Sequence, residues 1–113
     1  MTEKEIQYAI RKAISHYPNI RLWRNNVGSM IDKKGQMVTF GLCPGSSDLV
    51  GLESIIITPD MIGKTMARFL AIEVKSEKGK ASESQSKFLE MVRAMGGVGI
   101  LARSIEDVHE IMD

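Results

Sequence analysis

Glu73 and Lys75 stand inside an apolar stretch, Phe69-Leu70-Ala71-Ile72-Glu73-Val74-Lys75. Bulky apolar types dominate it, which is the composition of a buried strand. A strand repeats every two residues, so the acid and the amine emerge on one face, near the strand's end. Burying an unpaired charge is expensive. The two must be compensated by each other, by a polar partner, by a metal ion or by a substrate. A structural ion pair at a sheet end would suffice on its own. Upstream, Gly45-Ser46-Ser47-Asp48-Leu49-Val50 puts a second acid at the start of another apolar run. An acid leading into one strand, then Glu-x-Lys closing the next, is the arrangement a two-carboxylate metal site with an adjacent lysine needs.

Asp48 and Glu73 lie 25 positions apart. Their hard oxygens suit Mg²⁺ or Mn²⁺, which keep waters in the remaining positions. Such an ion polarises a phosphoryl oxygen and activates a bound water. A lysine two residues from the second ligand can orient or deprotonate that water, or stabilise the charge of a pentavalent transition state. Asp48, Glu73 and Lys75 are thus equipped for metal-assisted phosphodiester hydrolysis. Other chemistries fit badly. His16 and His109 fall on separate helices, and neither belongs to a metal-spaced pair. Cys43 has no histidine near it in sequence and reads as a packed small residue. The eight methionines scatter through core positions.

The elements that must position these residues follow from the chain in order. Thr2-Glu3-Lys4-Glu5 is a capping box, so a helix starts there. Ile6, Ala9, Ile10, Ala13, Ile14 and Tyr17 give it one apolar stripe, and Pro18 stops it. Glu5 completes the cap, or leans from the helix start into a site. Ile20-Arg21-Leu22-Trp23-Arg24 alternates like a half-exposed strand, and Arg24-Asn25-Asn26-Val27-Gly28 turns away. Arg24, Asn25 and Asn26 are good donors to phosphates or base edges, although Asn-Asn near Gly is also plain turn chemistry. Asp32-Lys33-Lys34-Gly35 turns between two short extended pieces, Met30-Ile31 and Met37-Val38-Thr39-Phe40. Gly41 to Asp48 is an irregular approach and not a phosphate loop, because no Gly-Lys-Ser/Thr follows.

Asp48 to Leu52 and Ser54 to Thr58 read as one long strand, or as two pieces broken at Gly51. Pro59 to Lys64 is a loop, and 66–75 is the central strand, antiparallel to its predecessor. Glu77-Lys78-Gly79-Lys80 is polar. Ser82-Glu83-Ser84-Gln85 is a second capping box, opening a helix to Met95 that ends at Gly96-Gly97. Gln85 shares the inward face of Phe88, Leu89 and Val92, so it serves the cap or reaches the end of the central strand. Val98 to Ala102 is a last buried strand, and a last helix runs through Met112. The expectation is one domain, 1–113, of α/β class with a mixed sheet.

The totals agree. A chain of 113 residues has room for one core. No apolar run approaches the ~20 residues of a membrane span, and Met1-Thr2-Glu3-Lys4-Glu5 is too polar for a signal peptide. One cysteine cannot form an internal disulfide, which fits a cytoplasmic setting, in a cell or an infected host. Net charge is +1, but residues 1 to 80 hold twelve Lys and Arg against eight Asp and Glu, whereas residues 81 to 113 hold three against six. The basic excess lies with the strands and is compatible with phosphate contacts.

At these residues the sequence resembles the PD-(D/E)xK nuclease superfamily, and more closely its VRR-NUC branch, the virus-type replication–repair nuclease domain, in the small stand-alone form of phages. Glu5 resembles the family's first-helix glutamate. Gly45-Ser46-Ser47-Asp48-Leu49 resembles its metal-binding aspartate motif, and Glu73-Val74-Lys75 its E-x-K. Ser84-Gln85 resembles its helix glutamine, and Gly96-Gly97-Val98 its closing strand. One departure concerns the Pro-Asp of the superfamily's name: Asp48 follows Ser47. The literal Pro59-Asp60 is read as a decoy, since a hairpin would put it at the far end from Glu73 and Lys75.

The resemblance implies a restriction-endonuclease-like mixed β-sheet flanked by helices, with an α-β-β-β-α-β core. It implies that the Val74 carbonyl also ligates metal, that Glu5 holds a second ion or a water, that Gln85 orients Lys75 or contacts the substrate, and that Arg24, Asn25, Lys78 and Lys80 are the candidates for DNA contact. It further implies a homodimer acting on structured or branched DNA, in the manner of Holliday-junction resolvases, during phage replication or repair. The alternative is a DNA-binding or assembly module that keeps the fold without turnover.

Overall fold

Thr2 opens the first helix as its spacing to Glu5 predicts. In the computed structural model, which describes residues 1–112, the Thr2 hydroxyl accepts from the Glu5 N–H and the Glu5 carboxylate accepts from the Thr2 N–H. Helix α1 runs Glu3–Ile14. Five strands and a second helix follow, then a last strand: β1 (Ile20–Arg24), β2 (Gly28–Ile31), β3 (Met37–Phe40), β4 (Leu49–Glu53), β5 (Leu70–Val74), α2 (Glu83–Ala94) and β6 (Val98–Ala102). Short 3₁₀ segments occupy Pro59–Met61 and Ile105–Ile111. Antiparallel and parallel pairs both occur, so the class is α/β of mixed pairing, as expected. The chain forms two compact units, Met1–Glu53 and one that begins at Ser54.

In the first unit β1 pairs antiparallel with β4, from Ile20 opposite Glu53 to Arg24 opposite Leu49. The hairpin β2–β3 is a second antiparallel pair, turned by Asp32, whose carboxylate accepts from the N–H groups of Lys34 and Gln36. Gly51 does not break its strand. It sits opposite Leu22, where a Cβ would fall 1.9 Å from the Arg21 carbonyl oxygen. The glycine lets two backbones pass closer than any side chain allows.

In the second unit β5 pairs parallel with β6, Leu70 beside Val98 through Val74 beside Ala102. Strand β6 is the buried one. Val98, Ile100 and Ala102 form a core with Val108 and Ile111 packed against it, and α2 packs on β5 and β6, with Leu89 and Val92 buried in α2. The Arg93 guanidinium ties α2 to β6 by donating to the Gly99 carbonyl at 2.7 Å.

Five expectations are corrected. The ladder on β5 is with β6, in parallel, where an antiparallel ladder with the preceding strand had been expected. The residues 54–58 are not a strand, because β1 begins at Ile20, opposite Glu53, and offers no backbone beyond it. Strand β5 starts at Leu70 and not at Met66, because its partner begins only after the turn at Gly96 and Gly97. It is also less buried than its composition predicts: Leu70, Ile72 and Val74 are exposed, while Ala71 and Glu73 are partly covered. Finally, the last helix is 3₁₀. Ser104 makes no side-chain cap, and the Asp107 carboxylate accepts instead from the Arg103 N–H.

Candidate active site

The sequence-derived residues divide between the units: Glu5, Arg24, Asn25 and Asp48 in the first, and Glu73, Val74, Lys75, Lys78, Lys80 and Gln85 in the second. Strand β4, which follows Asp48, pairs with β1, and strand β5, which carries Glu73, pairs with β6.

On β5 the period of two does what the spacing predicts. The Lys75 ammonium lies 3.5 Å from the Glu73 carboxylate, and the two side chains are 23% and 29% exposed. At that distance and exposure an ion pair contributes about 1 kcal/mol or less. Both charged groups keep some access to solvent. The Lys75 N–H donates to the Ala102 carbonyl, carrying the β5–β6 ladder one residue past Val74 and fixing the backbone that holds the amine.

Of the two roles the sequence leaves open for Gln85, the capping one is made. Its Oε1 accepts from the Ser82 N–H at 2.9 Å, closing the cap of α2. It also lines an open groove of about 350 Å³ with Glu73, Ser84, Phe69 and Phe88. The start of α2 and the polar face of β5 therefore border the same space.

Beyond Lys75 the chain turns at Ser76 to Gly79, with the Gly79 N–H donating to the Ser76 carbonyl. Arg103 grips this turn. Its Nη1 donates to the carbonyls of Ser76, Glu77 and Gly79, at 2.5, 3.2 and 2.7 Å. Lys78 and Lys80 are exposed on the segment so held. Sequence reasoning missed Arg103, and no signal pointed to it: its partners are backbone oxygens more than twenty residues upstream.

In the first unit the Asp48 loop is built on a turn. The Ser46 N–H donates to the Cys43 carbonyl across Pro44 and Gly45, and Gly45 has φ +84°. Proline then a left-handed glycine is the type II pattern. Asn25, 8% exposed, is the buried polar residue of the described chain. Its Nδ2 donates to the Ser46 hydroxyl at 2.7 Å and the Ser47 carbonyl at 2.9 Å, and its Oδ1 accepts from the Leu42 N–H at 3.0 Å. Both ends of its amide are engaged inside the unit, which leaves the expected DNA contacts to Arg24, Lys78 and Lys80. The Asp48 side chain itself is exposed.

Glu5 and Arg24 line one groove of about 510 Å³, together with Lys4 and Tyr8. The Glu5 Oε1 is engaged by the Thr2 N–H and hydroxyl, so its capping role is real. Asp60 is engaged by the Thr58 hydroxyl at the start of the 3₁₀ segment Pro59–Met61. Among the described residues no three His, Cys, Asp or Glu side chains gather as a metal cage. Hard carboxylate oxygens and a backbone carbonyl are donors that fit Mg²⁺ or Mn²⁺ with water completing the shell, and they fit soft or imidazole-loving metals badly. No helix among the described residues is long and apolar enough to cross a membrane.

The family model for the VRR-NUC domain matches residues 1–104 of the 113, and so spans α1, the Asp48 loop, the Glu73–Lys75 strand and α2. No curated protein and no solved structure matches the chain. With a match over nearly its whole length, the chain belongs to the VRR-NUC domain family, a nuclease family with DNA as substrate and a general use of divalent metals.

Proposed function

We propose that this protein is a Mg²⁺- or Mn²⁺-dependent DNA endonuclease that hydrolyses phosphodiester bonds in structured or branched DNA, with Asp48, Glu73 and the Val74 carbonyl holding the metal and Glu5 holding a second ion or a water. The observation that carries the reading is the Glu73–Lys75 pair. The acid and the amine project from one strand face, lie 3.5 Å apart and are about three-quarters shielded while still open to a ligand. The family match supports the donor set, because both acids fall inside it.

When bound, the metal would polarise a phosphoryl oxygen and lower the pKa of a coordinated water. The chain's own residues do the rest. Lys75 leaves Glu73 for the attacking water or the reacting phosphate, where its ammonium orients the nucleophile or offsets the charge that develops on the phosphoryl oxygens. Gln85 is anchored through Oε1, and its Nε2 is the donor left to orient Lys75 or meet the substrate. Arg24, Lys78 and Lys80 hold flanking phosphates, which fix register without reading sequence. Water adds to phosphorus, one P–O ester bond breaks, and the leaving alkoxide takes up a proton. We place this activity in phage replication or repair in the host cytoplasm, with the two units working as one domain and the protein as a homodimer that cuts both strands of a junction.

The test is a cleavage assay on single-stranded, duplex, flap and four-way-junction DNA with Mg²⁺, with Mn²⁺ and with EDTA. Metal-dependent cutting, strongest on branched substrates, is expected. DNA binding without cutting under every metal condition would favour a non-catalytic module instead.

A further inference from the structure

Three consecutive residues of the Asp48 loop, Ser46, Ser47 and Asp48, each accept a hydrogen bond from Asn25. The side-chain amide reaches the first two, and the Asn25 N–H reaches the Asp48 carbonyl at 2.8 Å. The other end of the same side chain takes the Leu42 N–H. One buried residue thus spans the loop from 42 to 48 and closes it against the end of β1. The Ser46 hydroxyl adds a cross-brace, donating to the Cys43 carbonyl at 2.8 Å while it receives Asn25.

We propose that Asn25 is a positioning residue for metal binding: by bracing the 42–48 loop it holds the Asp48 carboxylate where the metal needs it. The proposal rests on the metal-dependent reading given above. Two observations support it. The bracing is directed at backbone and ends on Asp48 itself, where the β1–β4 ladder, whose last pair is Arg24 with Leu49, is carried one residue further. And the Asp48 side chain stands exposed at the end of a loop whose backbone is tied down. A loop gripped at 42, 46, 47 and 48 presents its carboxylate in few orientations. A loose loop would lose that freedom on binding, and affinity would fall accordingly. Residues that orient a ligand without touching the metal commonly carry a ten- to hundred-fold share of metal affinity. A second consequence separates this role from a general structural one. Excess metal can refill a loosened site, so saturating metal should restore the rate.

The experiment is Mn²⁺ titration by calorimetry on wild type, Asn25→Ala and Ser46→Ala, with amide hydrogen exchange on the metal-free proteins and cleavage rates across Mn²⁺ concentration. Asn25→Ala is expected to raise the Mn²⁺ Kd about ten- to hundred-fold, and Ser46→Ala to raise it by a smaller factor. Exchange should quicken across residues 42–48, and cleavage at saturating Mn²⁺ should stay within a few-fold of wild type. If Asn25→Ala fails to fold, Ser46→Ala carries the same readouts. Wild-type Mn²⁺ affinity in the folded variants overturns the proposal while leaving the nuclease reading intact. A wild-type protein that binds no Mn²⁺ overturns the reading, and the role of Asn25 with it.

Discussion

Glu73 and Lys75 hold each other across 3.5 Å in a partly solvated setting. A pair of that kind stabilises by about 1 kcal/mol or less, so its removal should scarcely move the unfolding midpoint. Lys75→Ala is therefore expected to cut the cleavage rate by about a hundred- to ten-thousand-fold, the range of a lost proton-transfer or charge-stabilising group. Thermal unfolding and DNA affinity should stay near wild type, and circular dichroism melts with single-turnover kinetics check both halves. A variant that still cuts at the wild-type rate removes Lys75 from the chemistry. The pair was legible because a strand's period alone puts positions 73 and 75 on one face. Asn25 was not. Its neighbours spelled a turn, while its partners lie 17 to 23 residues downstream and are mostly backbone atoms that no residue type announces.

Among the elements, the two helices with local capping signatures were read correctly, and the pairing and ends of the strands between 54 and 75, decided by remote partners, were not. Thr2 to Glu5 and Ser82 to Gln85 announced both helices, since each capping box closes within four residues. The three isoleucines 55–57 looked like strand, yet β1 ends its pairing at Glu53 and leaves them without a ladder. The choice of β6 over β4 as the partner of β5 depends on where the turn at Gly96 and Gly97 releases the chain, which periodicity does not encode. Two substitutions test the elements. Gly51→Ala would push a Cβ to 1.9 Å from the Arg21 carbonyl. It is expected to force β1 and β4 apart and to destabilise the fold by about 3 kcal/mol, read from urea unfolding. Arg103→Ala removes three charge-assisted bonds to the turn after Lys75. Faster amide exchange at 76–79 and a several-fold rise in KM for DNA are expected, with kcat changed less, because the phosphate contacts proposed for Lys78 and Lys80 depend on the shape of that turn. Unchanged KM would detach the turn from substrate binding.

For the whole molecule, the residues proposed for the chemistry come from both units, and the match to the family spans them. The positive balance of residues 1 to 80 suits a polyanion. Binding through a few phosphates should then weaken as salt rises, with a slope near −0.9 for each contact on duplex DNA. The hairpin residues Met30, Ile31, Met37, Val38 and Phe40 are all 41–66% exposed, and light scattering in solution will read whether the protein is the expected homodimer. The central claim is that one divalent ion is held jointly by Asp48 and Glu73, and the most direct measurement is Mn²⁺ titration calorimetry on wild type, Asp48→Ala and Glu73→Ala. The account predicts that wild type binds and that each single substitution abolishes the same heat. Either variant binding Mn²⁺ with wild-type affinity would contradict it.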